Sequence, residues 1–100
     1  VAIAGRLGPR KRIVSGRIDR LAVTPSEVWI VDYKTNHAPP RKATEAPDSY
    51  VSQLAQYRAV LARLYPDRPV RAALLWTESL EMMEISAPAL DAALLTIISP

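Results

Sequence analysis

No cysteine occurs in the 100 residues of this chain, and that absence excludes more than any other count. Disulfides, thiolate zinc sites, iron–sulfur clusters and cysteine nucleophiles are all ruled out. A single histidine, His37, removes every motif that needs two or more imidazoles. No stretch approaches the roughly 18 apolar residues of a membrane span, so no membrane partner is expected. The start, Val-Ala-Ile-Ala-Gly-Arg, also lacks the charged-then-apolar layout of a signal peptide. Missing cysteine fits a cytoplasmic protein, which is the expected location. The first residue is not Met, so the natural beginning is expected to lie upstream.

What is present describes a folded domain. The chain is 49% hydrophobic and 23% charged, a balance that argues against disorder. Its length suits one domain, residues 1–100, able to bury most of the surface exposed when unfolded. Net charge is +3 but unevenly placed: Arg6, Arg10, Lys11, Arg12, Arg17 and Arg20 face only Asp19 in the first 20 residues. The remaining 80 residues hold seven bases and nine acids. A basic first fifth suits a polyanion such as nucleic acid. It also suits a solvated strand edge protected by Lys and Arg.

Val1 to Leu7 reads as a short strand ended by the turn signal Gly8-Pro9. Arg12 to Thr24, rich in Ile, Val and Leu, reads as a second strand in which Gly16 marks a bulge or a close backbone approach. After Pro25-Ser26, Glu27 to Lys34 is the clearest strand, β-branched and aromatic. Short connections predict an antiparallel meander. A loop over 35–47 precedes a helix from Asp48 or Ser49 to about Tyr65, with Tyr50, Leu54, Tyr57, Leu61 and Leu64 at helical spacing. Val70 to Thr77 and Glu81 to Ser86 read as strands, and Pro88 falls in the first turn of a last helix reaching about Ile98. The order is β-β-β-α-β-β-α, an α/β fold with a mixed sheet in two or three layers.

Two charged residues stand where solvent is not expected. The strand Val28 to Lys34 is apolar on both faces, as in a central strand covered on both sides. Asp32 and Lys34 share a face with Val28 and Ile30, with Cα atoms about 6.5–7 Å apart. An isolated Asp-x-Lys is ordinarily a structural pair. Here Asp19 places a second carboxylate inside another apolar strand, and meander pairing brings it toward Asp32. Two acids so close repel unless a cation lies between them. With carboxylate and carbonyl oxygens as donors, that cation is hard, Mg²⁺ or Mn²⁺. Gln53 and Tyr57, at i and i+4, share one helix face. Alone they read as part of the apolar stripe, with Gln53 at its rim, since stripes at helical spacing are normally core.

Gly16-Arg-Ile-Asp-Arg-Leu21, Ile30-Val-Asp-Tyr-Lys-Thr-Asn36 and Tyr50-Val-Ser-Gln-Leu-Ala-Gln-Tyr57 together resemble the RecB-like nuclease domain of the PD-(D/E)XK superfamily. The likeness runs from about Ile3 to Ile85 and is nearest to the C-terminal nuclease of the AddA subunit of bacterial AddAB helicase–nucleases. It implies a restriction-endonuclease-like α/β core. It implies metal binding by Asp19, Asp32 and the carbonyl of Tyr33, with Lys34 as the catalytic lysine. Gln53 and Tyr57 match a Gln-x-x-x-Tyr motif beside the active site, with a helper role toward the metal ligands or DNA. Arg20 and Thr35 are assigned at most a phosphate contact. The implied reaction is Mg²⁺-dependent exonucleolytic DNA hydrolysis in double-strand break repair and recombination. The implied partners are DNA, an upstream helicase region of the same polypeptide and a second nuclease subunit.

The resemblance also implies an upstream helix carrying one more acidic or histidine ligand, expected to be missing ahead of Val1. His37, which follows the lysine motif, is read as a loop histidine. That leaves open whether the isolated segment is active. Two other readings stay open at this point: an inactive nuclease fold kept for DNA binding or subunit docking, and an unrelated α/β binding domain.

Overall fold

The computed structural model describes residues 1–35 and 38–99; His37 lies outside the described residues. Strands β1 (Ala2–Leu7) and β2 (Arg12–Arg17) form an antiparallel hairpin. Its turn needs Gly8, whose φ of 76° is unfavourable for any side chain. A Cβ there would also lie 2.8 Å from Ile98 Cβ. Strands β3 (Arg20–Val23), β4 (Val28–Lys34), β5 (Val70–Trp76) and β6 (Glu81–Ile85) form a second sheet in that order. β3 pairs antiparallel with β4, β4 parallel with β5, and β5 antiparallel with β6. The parallel step is bridged by helix α1 (Asp48–Leu64), as a crossover requires. Helix α2 (Ala87–Ile98) ends the described chain.

The mixed sheet and two helices match the expected fold class, with one division the sequence conceals. Residues 12–24 do not make a single strand: the chain leaves β2 at Ile18 and bends at Asp19 before β3 begins. Ile18 causes the break. Its side chain is buried, and its backbone exchanges two 2.7 Å hydrogen bonds with Val1. The hairpin is thereby closed just where the second sheet starts.

The core is built on one face of the second sheet. Val28 and Ile30 from β4, Ala72, Leu74 and Trp76 from β5, and Ile85 from β6 meet Leu54 and Leu61 of α1 and Leu90 of α2. α1 starts without a side-chain cap, contrary to the expectation for Asp48 or Ser49, and stops at Tyr65, before Pro66. α2 is capped by Ser86, whose hydroxyl accepts from the Ala89 N–H, and it carries the expected proline in its first turn. Arg58 of α1 and Asp91 of α2 join at 2.7 Å.

β4 is central, as its composition predicts, but among the described residues no helix covers its second face. That face is closed by polar chemistry instead. Arg71 lies 4.2 Å from the Trp29 ring centroid and pairs with Glu27 and Glu84 at 3.2 and 2.6 Å. Two carboxylates hold its guanidinium firmly protonated, above its ordinary range. No helix of the described residues is long and apolar enough to cross a membrane.

Candidate active site

The β3–β4 ladder runs Val23↔Val28 to Arg20↔Val31, and one further step would set Asp19 opposite Asp32. The ladder stops there. The bend turns Asp19 so that its Oδ2 accepts the backbone N–H of Tyr33 at 2.8 Å. Its carboxylate also adjoins that of Asp32. Two acids that sit 13 positions apart in sequence are thus joined by one interruption of strand pairing.

Asp32 points to the core face and is only 8% exposed, the one buried charged side chain among the described residues. Lys34, two residues on and on the same face, brings Nζ to 2.7 Å from Asp32 Oδ2. The pair is an ion contact inside the fold, and Asp32 Oδ2 itself is buried. The end of β4 is pinned by Thr77, whose N–H and hydroxyl both donate to the Lys34 carbonyl at 2.9 and 3.1 Å.

Burial pushes the Asp32 carboxyl above its ordinary range; Lys34 opposes this and the adjoining Asp19 adds to it. Asp19 moves the other way, lowered first by the Tyr33 N–H and then by its contact with Asp32. One acid is held ionised while its neighbour keeps a proton more readily.

Gln53 and Tyr57 form a second group. Gln53 Nε2 donates to Tyr57 Oη at 3.3 Å. The Tyr57 hydroxyl rests on Gly16: a Cβ at that position would lie 2.0 Å from Oη. The expected close backbone approach at Gly16 is therefore the seat of this phenol, three residues before Asp19. A groove of about 470 Å³ opens beside the pair, lined by Val14, Ser15, Ser49, Ser52 and Gln56. Asp19, Asp32 and Lys34 converge; Gln53 and Tyr57 form a separate pair against Gly16 of β2. Tyr33 contributes its N–H to Asp19, and its side chain is exposed. Arg20 and Thr35 are both exposed.

The sequence analysis missed Tyr50, placed there only in the apolar stripe. Its ring centroid lies 3.9 Å from Lys34 Nζ. The available signal was spacing, since Tyr50, Gln53 and Tyr57 recur at i, i+3 and i+7 on one face of α1.

Compared with known families, the chain matches the PD-(D/E)XK nuclease superfamily over residues 3–96. It belongs to that superfamily. No match is found among curated proteins or among solved structures. PD-(D/E)XK nucleases generally hydrolyse phosphodiester bonds, and nucleic acid is the substrate class that membership suggests. They typically use divalent metals, and the donors of this PD-(D/E)XK domain fit one. Two adjoining carboxylates, one of them buried, suit Mg²⁺, which binds through one or two carboxylates and keeps waters or phosphate oxygens. Among the described residues no group of three or more His, Cys, Asp or Glu converges.

Proposed function

We propose that this domain hydrolyses DNA phosphodiester bonds with the help of Mg²⁺ or Mn²⁺, held by Asp19, Asp32 and the Tyr33 carbonyl. The observation that carries the proposal is the meeting of Asp19, Asp32 and the Lys34 ammonium at one strand interruption. Burying one carboxylate beside a second is costly, and a cation bound between them would offset that cost. A bound divalent cation would lower the pKa of the attacking water and offset charge at phosphorus.

The protein's own groups do the rest. Lys34 presents a compact positive charge to the phosphate as negative charge develops on its oxygens. Asp19, held ionised by the Tyr33 N–H, keeps its carboxylate available as an oxygen donor. Gln53 and Tyr57 supply neutral hydrogen-bonding groups along their own groove, suited to orienting a nucleic-acid strand. Water adds to phosphorus, the bridging P–O bond breaks, and a phosphomonoester and an alcohol are released.

The finer reading is an exonuclease of the AddA type, working with an upstream helicase region and a second nuclease subunit in double-strand break repair. The three motifs in order support it. In the protein at its full natural length, Asp32→Ala should abolish Mg²⁺-dependent DNA degradation by at least about 100-fold, the scale of losing a group that stabilises the transition state. ATP hydrolysis should persist. Degradation at the wild-type rate would sink the site assignment, and absence of ATPase activity in the parent would sink the helicase–nuclease reading alone.

A further inference from the structure

We propose that Tyr50 is a positioning residue of this site, its ring face holding the Lys34 ammonium in place. The inference rests on the nuclease reading above and concerns how its lysine is aimed. Lys34 Nζ has two close neighbours on opposite kinds of chemistry: Asp32 Oδ2 at 2.7 Å and the Tyr50 ring centroid at 3.9 Å. A lysine side chain has four rotatable carbons, so a single carboxylate contact leaves its head free to swing. The face of an aromatic ring attracts a cation through its quadrupole and restrains it from a second side. Unlike another carboxylate, the ring does this without cancelling the charge. The ammonium stays net positive toward a phosphate.

The ring is itself braced. Tyr50 packs on Trp76, with centroids 6.3 Å apart and planes tilted by 50°. Trp76 is 1% exposed and is the direct cross-strand neighbour of Lys34 in the β4–β5 ladder. The residue opposite the lysine therefore supports the ring that caps it. Tyr50, Gln53 and Tyr57 share one face of α1, so a single helix face carries both the lysine cap and the Gln–Tyr pair. Docking of α1 on the sheet thus sets the lysine head as well as the core.

The test has a readout independent of activity. Ring current from Tyr50 should shift the Lys34 ε-methylene protons upfield of those of Lys11 and Lys42, with the signal assigned by its loss in Lys34→Arg. Tyr50→Leu should return that signal to the ordinary lysine position, whereas Tyr50→Phe should keep it shifted. At saturating Mg²⁺, Tyr50→Leu in the full-length protein should lower kcat about tenfold with KM for DNA unchanged, the order expected for losing a partly desolvated cation–π contact. Tyr50→Phe and Tyr50→Trp should restore kcat. An unshifted lysine signal in the wild type overturns the proposal even if Tyr50→Leu fails to fold. So does a Tyr50→Phe variant as slow as Tyr50→Leu, since the hydroxyl rather than the ring would then be responsible. Lys34→Ala separates the two levels: cleavage at the wild-type rate there defeats the nuclease reading of the site, whereas loss of cleavage with an unaffected Tyr50→Leu defeats only the role of Tyr50.

Discussion

Asp32 concentrates the chemistry of this domain in one side chain, because its burial is unfavourable to folding and useful to a cation. Desolvation dominates its environment, and the proximity of Lys34 does not fully offset it. A carboxyl whose pKa is raised by folding stabilises the native state most when protonated. Its contribution is complete below the unfolded-state value and fades as pH rises through the folded one. At neutral pH the metal-free protein therefore carries a strained charge. Asp32→Asn should raise the melting temperature of the metal-free protein by a few degrees and abolish any further rise on adding Mn²⁺. A lower melting temperature without metal would mean that the Lys34 pair, and not desolvation, governs this residue. The same asymmetry predicts that Mn²⁺ affinity falls on acidification as Asp32 takes up its proton, ahead of Asp19. Calorimetric titration across the acidic range reads this directly. Sequence spacing was enough to single out Asp32, Lys34 and Asp19, because an ionisable group within an apolar strand is legible locally. Tyr50 was not legible, because an aromatic residue on a helical stripe looks the same whether it faces a leucine or an ammonium.

At the scale of elements, α1 comes close to the β1–β2 hairpin at its two strand glycines. Tyr57, 5% exposed, lies with its hydroxyl against the Gly16 backbone, and Val60 one turn on packs against Gly5 in the same way. Glycine in each hairpin strand thus lets a helix approach closer than any side chain would permit. Gly16→Ala would place a methyl 2.0 Å from Oη and 2.9 Å from the ring carbon that bears it. The helix must then shift or the ring must rotate, at a cost of about 1–3 kcal/mol. In a Tyr57→Ala background most of that cost should vanish, which a double-mutant cycle of denaturant melts would register. Equal costs in both backgrounds would show that Gly16 is needed for its backbone conformation instead. The two helices and most strands were legible from periodicity and from Gly8, Pro66 and Pro88. The division of residues 12–24 was not, because every residue there has the composition of a strand. It follows from Ile18 binding Val1, a contact between positions 17 apart.

Across the whole molecule the charge is arranged as a track. Arg6, Arg10, Lys11, Arg12 and Arg17 are all exposed on the β1–β2 hairpin, and Arg63 of α1 donates to the Arg6 carbonyl at 2.6 Å. β2 runs from Arg12 to Arg17 and ends two residues before Asp19, so the basic surface leads toward the carboxylates. Phosphates bound along it would release counterions and make binding salt-dependent. Lys11→Glu combined with Arg12→Glu should raise KM for DNA several-fold at low salt, flatten its salt dependence and leave kcat unchanged. An unaltered KM would place the polyanion elsewhere on the domain. The far face of the sheet belongs to the same scale. Its apolar strand residues predicted cover on both sides, yet among the described residues Arg71 over Trp29 and between two glutamates lies on it in place of a helix.

By itself the sequence determined the available chemistry. Without cysteine and with one histidine, the donors are oxygens; spacing singled out Asp19, Asp32 and Lys34, and the family resemblance added Gln53 and Tyr57. Such information is local, carried by residue type and by the periods of strand and helix. The tertiary structure alone decided that the β3–β4 ladder ends one step before Asp19, so that its carboxylate turns to the Tyr33 N–H and to Asp32. It alone decided that Tyr50, 16 positions after Lys34, lies under the lysine head. Both depend on contacts between distant positions, which packing selects and no local propensity encodes.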